Sequence, residues 1–459
     1  MKTNGKSKSQ QSNLFGSMTL KDGLDQRDEL YRLAEAINWS VFDEQFQSHY
    51  TDQGRPPLAI RRLTGLLILK QLKDLSDEQV CRYWHESPYA QFFCGEIHFQ
   101  WGYPCNPSEL TYFRKRIGEE GIKLIFEASV GLHQATVRSE DELVIDSTVQ
   151  EANITYPTET KLRERIIERL WALGEQSGVS WERSYKYTVP RLRRLARQRS
   201  NRTQKARRKA ILKLRTVARS LLRQYREAVP IEERTGRVCR ELRTMERILT
   251  QSFSEPANER VHSLHDPTVR CIAKGKAHKK YEWGRKASFA MLAQSSVIVG
   301  VASFEDNLFD GDTLAKTIAS ATTRSGKLFK SALVDGGYPG VTRIGTTEIV
   351  QPYRRGPSKR NAYQKTKHRK RMRRRSAIEP VIGHLKNDYR MARCYLQGFS
   401  GSVKNAHLAA AAWNFRKWMR ASALFAQIQK LCRGLLEHIE SIQRRFFPPQ
   451  LKIKLPSAA

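Results

Sequence analysis

Leu143-Val144-Ile145-Asp146-Ser147-Thr148 is a short apolar run of strand-forming residues that meets a single carboxylate. Far downstream, Ala332-Leu333-Val334-Asp335-Gly336-Gly337 repeats the design, with β-formers, an aspartate and then glycines. Closer to the C-terminus, Ile378-Glu379-Pro380-Val381-Ile382 opens a helix-like segment with a glutamate. The two apolar runs are bounded by turn formers and are too short for buried helices, so they read as buried strands carrying an aspartate at their ends.

Working outward, strand signals recur at Ser288–Ala293 and Ser296–Ala302, separated by a Gln294-Ser295 turn, and again near Glu348–Gln351. Asp310-Gly311-Asp312 reads as the cap of a helix running to about Ala321. The order is strand, strand, strand, helix, strand, helix, strand, helix. It predicts an α/β fold with a ribonuclease-H-like mixed sheet, in which the ends of the first and fourth strands lie side by side. Asp146 and Asp335 stand at those ends. Glu379 stands at the head of the last core helix, predicted to begin at Pro380 because proline disfavours helix in the residue before it.

Between the first and second strands the pattern is helical and highly charged. From Arg183 to Arg226 there are 17 Lys and Arg and no acid, yet Leu192/Leu195, Ile211/Leu214 and Val217/Leu221 keep a helical stripe. One-signed helices repel themselves unless a polyanion neutralises them, which predicts DNA contact here, with Arg193, Arg194, Arg207 and Arg208 as candidates. A second basic run, Arg354–Arg375, holds 12 Lys and Arg in 22 residues without an acid.

The N-terminal third reads as helices. Ile60, Leu63 and Leu67 give Pro57–Leu72 one apolar face. Ser76-Asp77-Glu78-Gln79 is a capping box, and Asn106-Pro107-Ser108-Glu109 starts a helix that carries Arg114, Lys115 and Arg116. A compact set of helices ending on such residues could enter a DNA groove, so these three are further DNA-binding candidates. The expected organisation is a disordered tail at 1–25, a helical DNA-binding domain at 26–138, a catalytic core at 139–155 and 270–400, a basic helical insertion at 156–269, and two terminal helices within 401–459.

Lys and Arg number 81 against 46 Asp and Glu, a net charge of +35. Such a field attracts polyanions, of which nucleic acid is the commonest. A membrane-surface role would want an amphipathic anchor or a lipidation motif, and the sequence offers neither, nor a secretory leader or an apolar run of spanning length. A cytoplasmic protein is expected. The seven cysteines (81, 94, 105, 239, 271, 394 and 432) are scattered without a CxxC and suit a reducing compartment. Cys81 and His85, Cys94 and His98, and Cys105 sketch a zinc pattern, but the spacings are loose and the neighbours aromatic.

Two strand-end aspartates and a helical glutamate in a basic chain are the donor set for two hard divalent ions, Mg²⁺ or Mn²⁺, at a phosphodiester. Singly, each acid has an ordinary reading: a strand-end turn at Asp146, turn chemistry at Asp335, a helix-dipole partner at Glu379. Their order, elements and charge surroundings together favour catalysis. Strand transfer, hydrolysis alone by a ribonuclease-H-like nuclease, and a catalytically silent DNA-binding regulator all remain open on the residues.

The chain resembles the bacterial DDE-type insertion-sequence transposases of the insertion sequence five group and its relatives. The motifs are Arg55-Pro-Pro-Leu-Ala-Ile-Arg-Arg-Leu63, Ser108-Glu-Leu-Thr-Tyr-Phe-Arg-Lys-Arg116, Val144-Ile-Asp146-Ser-Thr148, Asp306-Asn307 with Asp310-Gly311 and Thr313, and Val334-Asp335-Gly-Gly-Tyr338. A family signature of Tyr, Arg, Glu and Lys maps onto Met372, Arg375, Glu379 and Lys386, with Met372 the departure. The resemblance implies Asp146, Asp335 and Glu379 as catalytic metal ligands for two ions, with Arg375 and Lys386 gripping phosphate. It further implies double-stranded DNA partners (inverted-repeat ends and target), strand transfer by freed 3′-hydroxyls, and a homodimer or larger assembly. Some relatives insert a β-rich domain between the second Asp and the Glu; here 44 residues separate Asp335 from Glu379, too few for one.

Overall fold

The computed structural model describes residues 19–50, 58–198, 200–252, 254–257, 259–273, 280–352 and 361–446. Most of the expected N-terminal tail, the Arg55-Pro56-Pro57 motif residues, residues 274–279 and the start of the second basic run lie outside them. The chain forms two compact units, one from residues 1–133 and 411–459 and the other from residues 134–410. Among the described residues, no helix is long and apolar enough to cross a membrane.

The first unit is helical. Thr19 closes a capping box on a helix at Leu20–Gly23, within the stretch expected as a tail. The capping box at Ser76 forms, and Asn106 caps the helix that opens on Pro107. Ile60–Leu72 departs from the single apolar face expected of it: Leu63 to Leu69, Gln71 and Leu72 are all buried, so it is the enclosed helix of its unit. Phe42, Phe46, Phe93, Phe113 and Phe126 fill the core around it. The zinc pattern is packing. His85 bonds the Gly102 carbonyl at 3.3 Å and stacks on Tyr103, while Cys94 is buried so tightly that a Cβ on Gly65 would meet its sulfur at 2.8 Å. From residue 411 the C-terminal chain belongs to this unit, where Asn414 bonds Ser129 and His133. The two expected terminal helices are one, Gly398–Phe446, since Ala421, Ser422 and Ala423 include no breaker.

The second unit holds a mixed sheet. Its strands are β1 (Glu142–Ala152), β2 (Arg270–Ala273), β3 (Tyr281–Leu292), β4 (Ile298–Phe304), β5 (Ser331–Leu333), β6 (Arg343–Ile344), β7 (Thr347–Val350) and β8 (Arg393–Cys394). β1 and β3 are antiparallel from Leu143↔Leu292 to Glu151↔Gly284. β4 and β2 share the far edge of β3, while β5 and β8 share the far edge of β1, both parallel to it. β7 extends the sheet beyond β5. The β4-β3-β1-β5-β7 order is a mixed α/β arrangement consistent with a ribonuclease-H-like core, and it sets the first and fourth of these five core strands side by side. The helix expected between the fourth and fifth is absent among the described residues, where turns and the short β6 make the connection.

Two strands run further than their apolar runs suggested. β1 continues past Asp146 to Ala152, so that aspartate is inside a strand. β3 begins at Tyr281 although Glu282, Arg285 and Lys286 are charged; all three are buried, Arg285 against Asp266 and Lys286 against Asp310. Arg285 shows why this is tolerated. Its guanidinium pairs with Asp266 at 2.5 and 3.1 Å, and Ser402 accepts another of its N–H bonds at 3.2 Å. Asp266, in the segment that follows the insertion helices, is the staple that ties it to the sheet. Gly284 is needed where β3 crosses β1, for a Cβ there would sit 2.0 Å from the Gln150 carbonyl oxygen.

The insertion is four main helices, Glu159–Gln176, Thr188–Arg197, Gln204–Ala228 and Gly236–Thr250, around their own core of Ile166, Leu170, Leu214, Leu221, Tyr225 and Met245. Its positive charge is not left to a polyanion alone. Glu164 holds Arg193 and Arg197, Glu168 also holds Arg193, and Glu246 holds Arg226. Arg215 and Arg219 donate to the Leu249 carbonyl near a helix C-terminus. The acid-free window drew its counter-charges from helices before and after it.

Removing one member of a buried ion pair leaves the other uncompensated, at a cost of about 3–5 kcal/mol. Asp266→Ala should therefore destabilise the sheet unit by about that amount, and Asp266→Leu with Arg285→Met should recover most of it. Urea unfolding followed by tryptophan fluorescence checks both; an unmoved midpoint for Asp266→Ala would show the staple carries no weight.

Candidate active site

The site is built where β1 and β5 part. Their parallel ladder runs Glu142↔Ser331, Leu143↔Ala332, Val144↔Leu333 and stops. Asp146 and Asp335 each stand two residues beyond the last pair. Side chains alternate along an extended chain, so equal steps from a paired register deliver both carboxylates to neighbouring positions. Val334 still donates to the Val350 carbonyl at 3.0 Å, and the chain then turns through Gly336 and Gly337. The Gly337 amide donates to Asp335 Oδ1 at 2.8 Å, and a Cβ on Gly337 would stand 3.0 Å from that oxygen, which explains the small residue.

The third acid arrives on a helix turn rather than a strand. A helix at Ala362–Arg375, opened by an Asn361 capping box, precedes the helix Ile378–Asn387. The latter begins two residues before the predicted start at Pro380. Proline is tolerated in a helix's first turn because amides there have no partner within the helix. Glu379 is thus helical and four residues after Arg375. Lys386 lies two turns further along the same helix, half-buried.

Arg375 binds the site together. Its Nη2 lies 3.3 Å from Asp146 Oδ2 and 3.4 Å from Asp335 Oδ2, while Nη1 donates to Glu379 Oε1 at 3.0 Å. One turn earlier, Arg371 bonds Glu142 and Ser331 Oγ, at the starts of β1 and β5. Two arginines four apart thus pin one helix along the seam between these strands. Asp146 is the most buried of the three acids, and burial raises its pKa to about 6 against the opposing pull of Arg375 and the Ser147 amide. Asp335 and Asp310 push in the same direction as burial.

Asp310 is a fourth acid at the edge of the cluster. It does not cap its helix, Asp310–Ser325, as expected; it is the first helical residue and its carboxylate turns to the sheet. Ser147 Oγ donates to its Oδ1 at 2.6 Å and Lys286 Nζ donates to the same oxygen at 3.0 Å. Tyr338 is fully buried beside them, its hydroxyl pKa raised by burial and then by Asp146, Asp310 and Asp335. Ser147 and Tyr338 were visible in the motifs around the two aspartates. Lys286 was hidden, since nothing in a sequence marks a lysine as facing inward from a strand.

Three carboxylates are a hard-oxygen donor set that suits Mg²⁺ or Mn²⁺. As arranged, no three acidic, histidine or cysteine side chains among the described residues stand close enough to hold a metal ion. A guanidinium with contacts to all three acids holds the place of a cation.

The other candidates separate. Arg114 is turned into the protein, 5% exposed and bidentate to Asp77 at 2.8 and 2.7 Å, so it is a structural residue rather than a DNA contact. Lys115 and Arg116 are exposed, the latter over the Tyr50 ring at 4.5 Å. In the insertion Arg194, Arg207 and Arg208 are exposed and Arg193 is committed to Glu164 and Glu168.

Residues 18–116 match the family described as Transposase domain (DUF772), and residues 258–415 match the Transposase DDE domain. A Rhizobium meliloti protein described as "Uncharacterized protein ORF8 in nfe locus" is 40% identical over 181 residues, covering 38% of this chain and 87% of that protein. The chain belongs to the bacterial DDE insertion-sequence transposases. No solved structure matches the transposase. Its DDE match includes Asp335 and Glu379 but begins after Asp146. The place of Asp146 in the cluster therefore rests on geometry, on the same Arg375 nitrogen that meets Asp335.

If Arg375 stands in for a cation, removing it should open the carboxylates to one. With Mn²⁺ alone, Arg375→Ala should gain about 2–4 °C more in melting temperature than the wild type, equivalent to about 1 kcal/mol of added binding. Adding Asp335→Asn should abolish the gain. An equal rise in wild type and Arg375→Ala would detach this arginine from metal binding.

Proposed function

We propose that the transposase binds the inverted-repeat ends of its element as duplex DNA, hydrolyses a phosphodiester at each end, and joins the freed 3′-hydroxyls to target DNA. The observation that carries this reading is the meeting of Asp146, Asp335 and Glu379 on the guanidinium of Arg375. The three acids would hold two divalent ions. Such ions, when bound, neutralise phosphate charge and activate the attacking oxygen.

The chain's own residues supply positioning. Asp146 is held by the Ser147 amide at 2.8 Å, and Asp335 by the Gly337 amide, so both carboxylates are oriented before substrate arrives. Arg375, relieved of the acids, is placed to grip a phosphate by two parallel N–H bonds. Lys386 adds a point charge further along the Glu379 helix. Lys115, Arg116, Arg194, Arg207 and Arg208 are exposed and available to the DNA backbone. Two ends must be joined, so a homodimer or larger assembly on the bacterial chromosome is part of the proposal.

Asp146→Asn, Asp335→Asn and Glu379→Gln keep shape and remove charge. Each should lower Mg²⁺- or Mn²⁺-dependent cleavage of a labelled element end by about a thousandfold or more, several kcal/mol of transition-state stabilisation, while DNA binding persists. Strand transfer from pre-cleaved ends should fall in parallel. Cleavage without transfer in the wild type would make the protein a nuclease; binding without cleavage would make it a regulator; normal cutting by one variant would remove that residue from the ligand set.

A further inference from the structure

The same unit carries a second cationic surface, distinct from the carboxylate cluster. A cleft of about 1670 Å³ opens between the insertion helices Glu159–Gln176 and Gly236–Thr250 on one side and the exit of β1, the 262–267 segment and β8 on the other. Seven lysine and arginine side chains line it against two glutamates. The glutamates are already engaged: Glu241 holds Arg169 and Arg237, and Glu168 holds Arg165 and Arg193. Lys161, Arg240, Arg243 and Arg393 are exposed there, and among the described residues none of them is paired with a carboxylate.

These four come from three separate elements. Lys161 belongs to the first insertion helix, Arg240 and Arg243 lie three apart on the last, and Arg393 is in β8. Like charges brought to one groove from distant parts of the chain repel one another unless an anion lies between them. The groove is also fixed relative to the acids. In the parallel β1–β8 ladder the backbone of Arg393 stands opposite that of Glu151, five residues along β1 from Asp146. At about 3.3 Å per residue the cleft edge stands roughly 17 Å from Asp146. That is about five base pairs of duplex at 3.4 Å per step.

We propose that this cleft is a phosphate-backbone site for duplex DNA, gripping it about five base pairs from the phosphodiester at Asp146. The inference rests on the DNA reading above, and adds where on the duplex the protein holds it. The insertion then has a defined task. It supplies one wall of a track whose other wall is the catalytic sheet.

Ethylation interference with the full chain tests it, using a duplex bearing the element's end and Ca²⁺ to permit binding without cutting. The wild type should show phosphates about four to seven base pairs from the scissile bond whose ethylation blocks binding. Arg240→Gln/Arg243→Gln/Arg393→Gln, all exposed and expected to melt as the wild type does, should lose those phosphates alone. The slope of log K against log salt should become shallower by about 2–3. Loss on the end duplex assigns the cleft to the element's end; loss only in a strand-transfer complex assigns it to target DNA; both support a duplex site. An unchanged pattern and slope in both complexes overturns the proposal, and does so even where cleavage proceeds normally. A wild type that never cuts, but whose triple variant loses these phosphates, would overturn the catalytic reading and leave the cleft standing.

Discussion

The parallel ladder between β1 and β5 ends at Val144 and Leu333, and the rest of the site follows from that stop. Had the strands continued together, their facing positions would have been closed by backbone bonds and packed side chains. Because they part, two carboxylates at matched steps are left in the fork. β8 takes over the vacated edge of β1 only at Glu151. The stretch between is therefore free of a ladder partner on that side, and the Arg375 helix reaches into it.

Three acids in one fork would repel one another, and burial of Asp146 compounds the cost. Arg375 offsets that repulsion, and Arg371 fixes the helix on which it rides. The arrangement is thus self-consistent without a metal, yet its donor set is one a divalent ion would favour. A side chain four residues from Glu379 and within 3.4 Å of both aspartates can yield to such an ion and turn to phosphate without any change of fold. Asp310, tied to Ser147 and Lys286, braces the same strand from the next helix.

Much of this was legible in the chain. Short apolar runs ending on Asp, and glycines where the backbone must turn, are local signals; they located the strands of Asp146 and Asp335, though β1 runs on past Asp146 and the Glu379 helix starts two residues early. What was not legible depended on partners remote in sequence. Arg285 and Lys286 disguised the first half of β3 because charged residues look exposed until Asp266 and Asp310 are brought to them. Arg114 looked like a groove-reading side chain until Asp77 claimed it. The helix Ala362–Arg375 offers no apolar stripe, being docked by arginines rather than by packing. Pro380 misled about a helix start by two residues, since its missing N–H costs no hydrogen bond in the first turn.

The insertion draws these threads together. Its composition alone argued for a polyanion, and part of that argument dissolves once Glu164, Glu168, Glu241 and Glu246 are seen to neutralise its arginines from neighbouring helices. An internally balanced helical hairpin would need no DNA to be stable. The charge that counts is what remains after this pairing: Arg194, Arg207 and Arg208 stay exposed on the middle helices, while Lys161, Arg240 and Arg243 line one cleft with Arg393 of β8. Pairing elsewhere on the insertion is consistent with a fold that stands by itself. Unpaired charge at the cleft is what a surface needs if it is to hold a strand of phosphates running from the carboxylates of β1.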